Sequence, residues 1–388
     1  MTDRMSSAID LHGFVASGFE PVRDAFRHNF EERGELGAAF SAVRDGEPIV
    51  DLWGGIADRA SGRPWGSDTL QIIFSGSKGL VSMCILLLLE RSELDLDQPV
   101  ARYWPEFAAC GKQSVLVRDV VTHTSRLPGI ETPLTWREAM DDRMVARLLA
   151  AQAQSEDPRA ATAYNALTFG WLCGELVQRV DGRSVGRFFA DEFATPLELD
   201  LWIGLPSELE RRVSMVELGP DWGPVHLASH EKLATDPLAR AVANPTRYSP
   251  PDEFPWNEAA WHSAEVPAAN AIGTARSIAR LYGSLDQIFS PELLRFARRP
   301  LSTREDLLNR RSTSFGVGFQ LQTDELALGR PRDAFGHCGA GGSKHGCWPK
   351  QRVGFSYAMN LLFADDVADS RGKSLLGALY SALGVATR

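Results

Sequence analysis

The chain reads as an α+β fold: one antiparallel sheet made from both ends of the sequence, flanked by terminal helices, with a mainly helical region inserted between them. Three observations predict it. Gly37 to Val43 and Pro48 to Trp53 form two strand-like runs joined by Arg44-Asp45-Gly46-Glu47, and Asp-Gly at such a junction is a strong hairpin signal. From Phe315 onwards short strand patterns with turns return. Between these ends, apolar residues recur at helical spacing. The expected organisation is 1–74 as the first part of the α/β domain, 75–310 as the mainly helical region, and 311–388 as the second part.

Taken in order, Val15, Phe19, Val22, Phe26 and Phe30 place a helix in the first 35 residues. After the hairpin, Gly54-Gly55 and Ser61-Gly62-Arg63-Pro64 mark loops. Leu80 to Leu89 is an almost unbroken apolar run, long enough for a buried helix. A membrane span takes about 20 such residues, so this run is too short to be one. Val117 to His123 reads as a short helix, followed by helices at 135–153, 166–180, 184–194 and 270–300. Residues 204–268 are rich in Pro, Trp and turn formers and show no clean period. The late strands are expected at Phe315 to Leu321, Glu325 to Leu328, Ala334 to His337 and Val353 to Leu361. A last helix runs from about Ser370 to Leu383.

Composition narrows the function classes. A net charge of −9 argues against a nucleic-acid partner. Met1 to Ala16 carries Asp3, Arg4, Asp10 and His12, which does not fit a signal peptide. Cys84, Cys110, Cys173, Cys338 and Cys347 are odd in number, widely spaced and without a CxxC, so free thiols in a reducing cytoplasm are expected.

The chemistry centres on Phe74-Ser75-Gly76-Ser77-Lys78-Gly79. Ser75 and Lys78 are three residues apart, which puts both side chains on one helix face. A serine needs a base to become a nucleophile, and a desolvated lysine can supply it. The bare pattern is also met by an N-capping serine beside a solvated lysine. Two further stretches raise it above that reading. Tyr164 opens the helix after a loop, and Phe335-Gly336-His337-Cys338-Gly339-Ala340-Gly341-Gly342-Ser343 sets four glycines beside a strand, where a substrate can lie against backbone.

In this order, the three stretches resemble the β-lactamase and penicillin-binding-protein superfamily, and within it the class C β-lactamase-like esterases called family VIII carboxylesterases. The resemblance covers nearly the whole chain. It includes Glu35-Leu36-Gly37-Ala38-Ala39, Val50-Asp51-Leu52-Trp53-Gly54-Gly55, Pro196-Leu197 and Ala269-Asn270-Ala271-Ile272-Gly273-Thr274-Ala275-Arg276. It also includes Thr122-His123-Thr124-Ser125-Arg126-Leu127-Pro128, where relatives commonly carry Gly at the Arg126 position. The resemblance implies Ser75 as nucleophile, Lys78 and Tyr164 as its proton-transfer partners, and the Ser75 and Ala340 N–H groups as the oxyanion hole. It places His337-Cys338-Gly339 on the substrate-binding strand that is Lys-Thr-Gly in many β-lactamases. It implies a small ester as substrate, no cofactor and no metal, and neither a nucleic-acid nor a membrane partner. Self-assembly into a homo-oligomer stays open.

Several motifs compete. Gly182-Arg183-Ser184-Val185-Gly186 matches the nucleophile elbow of α/β-hydrolases, but a helix and not a strand precedes it, so Ser184 reads as an N-cap. His226 and His230 are four apart, yet no third metal ligand accompanies them. Trp222, Trp256 and Trp261 either line an acyl pocket or pack as ordinary loop residues. Cys338 has no base beside it and reads as a spectator thiol. The same constellation would serve a β-lactamase, a D-amino-acid peptidase, an amidase or an acyltransferase, and a silent binding protein could keep the fold.

Two departures separate esters from lactams. The tyrosine motif is Tyr164-Asn165-Ala166, so no asparagine stands two residues after the tyrosine. His337 stands where a lysine would face a lactam carboxylate. Each lost polar contact would cost about 1–3 kcal/mol of transition-state binding. Turnover of p-nitrophenyl butyrate is therefore expected to exceed that of nitrocefin by orders of magnitude in kcat/KM. His337→Lys should narrow the gap. Comparable efficiencies on the unmodified protein would promote the lactamase alternative.

Overall fold

The computed structural model describes residues 10–222, 232–245, 255–364 and 369–384. Its centre is an antiparallel sheet drawn from both chain ends. From the first part come β1 (Leu11–Val15), β2 (Gly37–Arg44) and β3 (Glu47–Asp58). From the last part come β4 (Ser302–Asp306), β5 (Arg311–Phe315), β6 (Gln320–Leu321), β7 (Phe335–Cys338), β8 (Lys344–Trp348) and β9 (Val353–Met359). The strand order is β1-β3-β2-β9-β8-β7-β6-β5-β4, with Arg63–Pro64 added on β3. The seam between the two ends is β2 with β9, in register from Arg44 opposite Val353 to Ala38 opposite Met359. The hairpin turn takes positive φ at both Asp45 (54°) and Gly46 (84°). That backbone twist matches the twist of the paired strands.

The terminal helices α1 (Glu20–Glu32) and α5 (Ser370–Ala382) pack on each other, and α1 also touches β1 and β3. A helix from the middle of the chain, α4 (Ala275–Gly283), lies over β2, β8 and β9. A side chain at Gly354 would run into the backbone of Ala279 and Gly283, so glycine there lets helix and strand touch.

The early apolar run forms α2 (Ser77–Glu90), in which Leu80, Val81, Met83, Cys84, Ile85, Leu86 and Leu88 are all buried. A helix apolar all round belongs at the centre of a core, and α2 packs against Thr168–Asp181, Val185–Phe189 and β7. One hydrophobic cluster runs from Phe26 and Phe40 through Leu80 and Ile85 to Trp171 and Phe193. A small three-stranded sheet, Gln71–Ile72 with Ile272–Gly273 and Leu201–Trp202, leads into α2 and ties its start to the middle of the chain.

The sequence reading needs several corrections. The helix expected over 270–300 is a short strand, Ile272–Gly273, followed by three helices, Ala275–Gly283, Leu285–Ile288 and Pro291–Ala297. Phe315 to Leu321 is two strands, because the chain turns at Gly318 (φ 73°), whose Cα faces Ser82. Glu325 to Leu328 is a turn with Leu326 at φ 51°, not a strand. The strands β1, β4 and β8 carry no clean apolar alternation, and tertiary pairing makes them. Val15 closes β1, and the first helix starts only at Glu20. All five cysteines are free thiols. Among the described residues no helix is long and apolar enough to cross a membrane.

Candidate active site

Ser75 lies in a 3-10 turn, Phe74–Gly76, that runs directly into α2. Phe74 takes φ 46°, a left-handed conformation that is strained for a bulky side chain. Its surroundings hold it there. Ser77 Oγ donates to Phe74 O (2.5 Å) and accepts from Ala271 N–H (2.9 Å). The Phe74 ring meets Trp256 edge-on at 5.2 Å. The turn's first bond runs from Gly76 N–H to Ile73 O (2.9 Å), which leaves Ser75 N–H ahead of the helical ladder.

Lys78 is one turn further on and completely buried. Its Nζ lies 3.2 Å from Ser75 Oγ, 2.7 Å from Ala166 O and 3.0 Å from Ala268 O. Burial pushes its pKa well below the usual lysine range, because the apolar core disfavours the ammonium form. Carbonyl oxygens can only accept, so in the neutral amine the two N–H bonds go to Ala166 and Ala268. The lone pair is then directed at Ser75.

Tyr164 enters from the loop before the helix α3 (Thr168–Asp181). Its backbone N–H is held by Asp306 of β4 at 3.1 Å. Lys78 Nζ stands 4.9 Å from the tyrosine ring centroid. Tyr164 Oη is 3.3 Å from His337 Nε2, and His337 Nδ1 is 2.8 Å from Cys338 O. The carbonyl fixes the tautomer: Nδ1 carries the proton and Nε2 accepts from the phenol. Burial pushes the His337 pKa down to about 3, so the imidazole is neutral.

Asn165 does not face this cleft. It is fully buried, with its N–H on His123 Nδ1 (3.1 Å) and its side-chain amide on Ser125 Oγ (3.5 Å). His123 itself packs its ring on Tyr164 (4.8 Å), Phe169 (5.0 Å) and Phe315 (4.3 Å). The sequence reading gave His123 no role, although it lies in one of the stretches that carry the family resemblance. Arg126 adopts φ 59°, the conformation a glycine would take freely, and its guanidinium is bound to Ser155 O (2.7 and 2.9 Å).

The glycine-rich stretch closes the other side. A side chain at Gly339 would run into Ile73 O and Ser343 Oγ, so β7 ends directly against the turn that carries Ser75. Cys338 N–H donates to Gln320 Oε1 (3.0 Å), and Gly339 N–H to Ser343 O (3.0 Å). Ala340 is exposed at the tip. Trp222 packs on Trp256 at 6.0 Å, on the Phe74 side, whereas Trp261 is core, edge-on to Trp136 at 5.1 Å. Ser184 is an N-cap: it accepts from Arg187 N–H (3.2 Å), donates to Glu265 Oε1 (2.7 Å), and follows a helix. His226 and His230 lie outside the described residues.

A β-lactamase family model matches residues 22–378. The esterase/β-lactamase LipL of Mycobacterium tuberculosis is 34% identical over 369 residues, covering 91% of this chain and 84% of that protein. Esterase EstB of Burkholderia gladioli is 39% identical over 106 residues, 26% of this chain and 27% of its own. Among solved structures, a family VIII carboxylesterase superposes with a TM-score of 0.87 at 35% identity, covering 96% of this chain and all (100%) of that one. A penicillin-binding-protein homologue from Caulobacter crescentus gives 0.85 at 33% identity, with 96% and 100% coverage.

The close approach at Gly339 gives a direct test. Gly339→Ala should push β7 away from the Ser75 turn. Ester hydrolysis is expected to fall by about two orders of magnitude, with a stability loss of about 1–3 kcal/mol in urea. Unchanged kcat/KM would show that this contact does not set the site.

Proposed function

The chain belongs to the β-lactamase family, and we propose that it is a serine hydrolase that cleaves short-chain carboxylic esters through an acyl-enzyme on Ser75. The observation that carries this is Ser75 Oγ at 3.2 Å from a buried lysine whose other two contacts are carbonyls. Lys78 takes the Ser75 proton as the oxygen attacks the ester carbonyl. The tetrahedral oxyanion rests between the N–H groups of Ser75 and Ala340, and each such donor contributes about 3 kcal/mol. The Lys78–Tyr164 pair returns the proton to the leaving alcohol. Water then repeats the sequence on the acyl-enzyme.

Esters are favoured over lactams because the lysine and the asparagine a lactam would use are absent, and the residues that stand there or beside them are engaged otherwise. His337 is neutral and engaged by Tyr164 and the Cys338 carbonyl. Asn165 is buried against His123 and Ser125. An ester needs neither. The printed name of LipL couples esterase with β-lactamase, so lactam hydrolysis is the competing reading. The free thiols suit a reducing compartment, and we place the enzyme in the cytoplasm.

Labelling with an active-site fluorophosphonate followed by peptide mapping tests the proposal. The label is expected on Ser75. Ser75→Ala should be folded and inactive, and Ser184→Ala should keep most activity. Lys78→Ala and Tyr164→Phe should each lower kcat far more than they raise KM, and together cost less than the product of the single effects. Label on Ser184, with an active Ser75→Ala, would overturn the assignment.

A further inference from the structure

Behind the glycine turn lies a cluster of charges that the reaction scheme does not use. Arg371, at the start of α5, has 1% of its side chain exposed, and its partners Glu35 and Asp369 have 0% and 3%. A buried guanidinium is costly unless its donors are matched, and here they are. Nε reaches both Asp369 oxygens (3.1 and 3.2 Å). One terminal nitrogen donates to Glu35 Oε1 (2.7 Å), and Tyr357 O–H donates to the other Glu35 oxygen. The second terminal nitrogen serves Asp369 Oδ2 (2.8 Å), Gly341 O (3.1 Å) and Leu361 O (3.0 Å).

The last two acceptors belong to two segments that meet through the Phe363 N–H to Gly341 O bond. Gly341 directly follows Ala340. Gly341 and Gly342 take φ 82° and 114°. A side chain at Gly341 would run into Leu362, and one at Gly342 into the Asp369 carboxylate. Gly341 O also accepts from Phe363 N–H (3.3 Å), and the guanidinium stacks 4.4 Å from the Phe363 ring. Leu362 O in turn accepts from Trp222 Nε1 (2.7 Å). One planar fork therefore fastens the oxyanion turn to the segment on which the Trp222–Trp256 wall rests.

We propose that Arg371 is a positioning residue for catalysis: by holding the Gly341 and Leu361 carbonyls it fixes where the Ala340 N–H points. The inference rests on the Ser75 and Ala340 reading above. A lysine would keep the charge but could not hold both carbonyls and both carboxylates in one plane. The distinction from a purely stabilising ion cluster lies in the transition state. Loss of positioning weakens an interaction made with the tetrahedral oxyanion and leaves ground-state binding alone.

The test uses Arg371→Lys, and Asp369→Asn as a milder loosening of the same fork. Fluorophosphonate titration first counts competent Ser75 sites, so unfolded protein drops out of the comparison. Per titrated site, kcat for p-nitrophenyl butyrate should fall about tenfold to a hundredfold in Arg371→Lys, with KM within about threefold. Affinity for a phenylboronic acid, whose tetrahedral adduct on Ser75 places an oxygen in the hole, should fall by a similar factor. Asp369→Asn should show the same pattern, weaker. Unchanged kcat per titrated site, or unchanged boronate affinity, in whichever variant folds would overturn the role of Arg371. No label on Ser75 in the unmodified enzyme would overturn the site itself, and this inference with it.

Discussion

A lysine amine buried where it cannot easily be charged is the constraint on which the rest of this site depends. Lys78 sits on a helix that is apolar on every side, so no solvent reaches it. A buried amine must find acceptors for its N–H groups, and the chain brings two carbonyls from distant segments, Ala166 and Ala268, to supply them. The helix α2, the Tyr164 loop and the segment before Ile272 are thereby locked together. The remaining direction points to Ser75. The burial that disfavours the charged form is what would let Lys78 act as the base we propose.

The turn that carries Ser75 shows a second cost carried by the surrounding fold. A phenylalanine at φ 46° is unfavourable alone. The Ser77 hydroxyl, the Trp256 ring and the contact of Gly339 with Ile73 O keep it in place. Arg371 extends this support to the turn at Gly341. Phe74 at φ 46° and the buried basic residues Lys78 and Arg371 all stand beside the proposed chemistry.

What was legible in the sequence was local. The Asp45-Gly46 hairpin, the apolar run of α2, the Ser75–Lys78 spacing and the glycine-rich stretch each carry their signal within about ten residues. Long-range partners were not legible. Lys344–Trp348 is a central strand, yet Lys-His-Gly-Cys-Trp shows no strand alternation, and its neighbours on both sides impose the structure. Asn165 gave no hint that its partners were His123 and Ser125, some forty residues earlier. Arg371 looks in sequence like an ordinary helix-start arginine, and only the fold brings Glu35 to it from 336 positions away. His337 lies in β7, where the sequence suggests a strand, but its bond to Tyr164 depends on a tautomer set by the next carbonyl.

The central claim is that neutral Lys78 is the base for Ser75, and the pH dependence of Ser75 labelling tests it most directly. An uncharged fluorophosphonate reports the attack step without product release. A lysine whose folded pKa is depressed is protonated, and useless as a base, only below that depressed pKa. The labelling rate should therefore rise with pH as one proton is lost and level off well below the free lysine value of about 10.4. The same midpoint should persist in Tyr164→Phe, at a lower plateau. A midpoint at the ordinary lysine value, or one that vanishes with the tyrosine hydroxyl, would contradict the account.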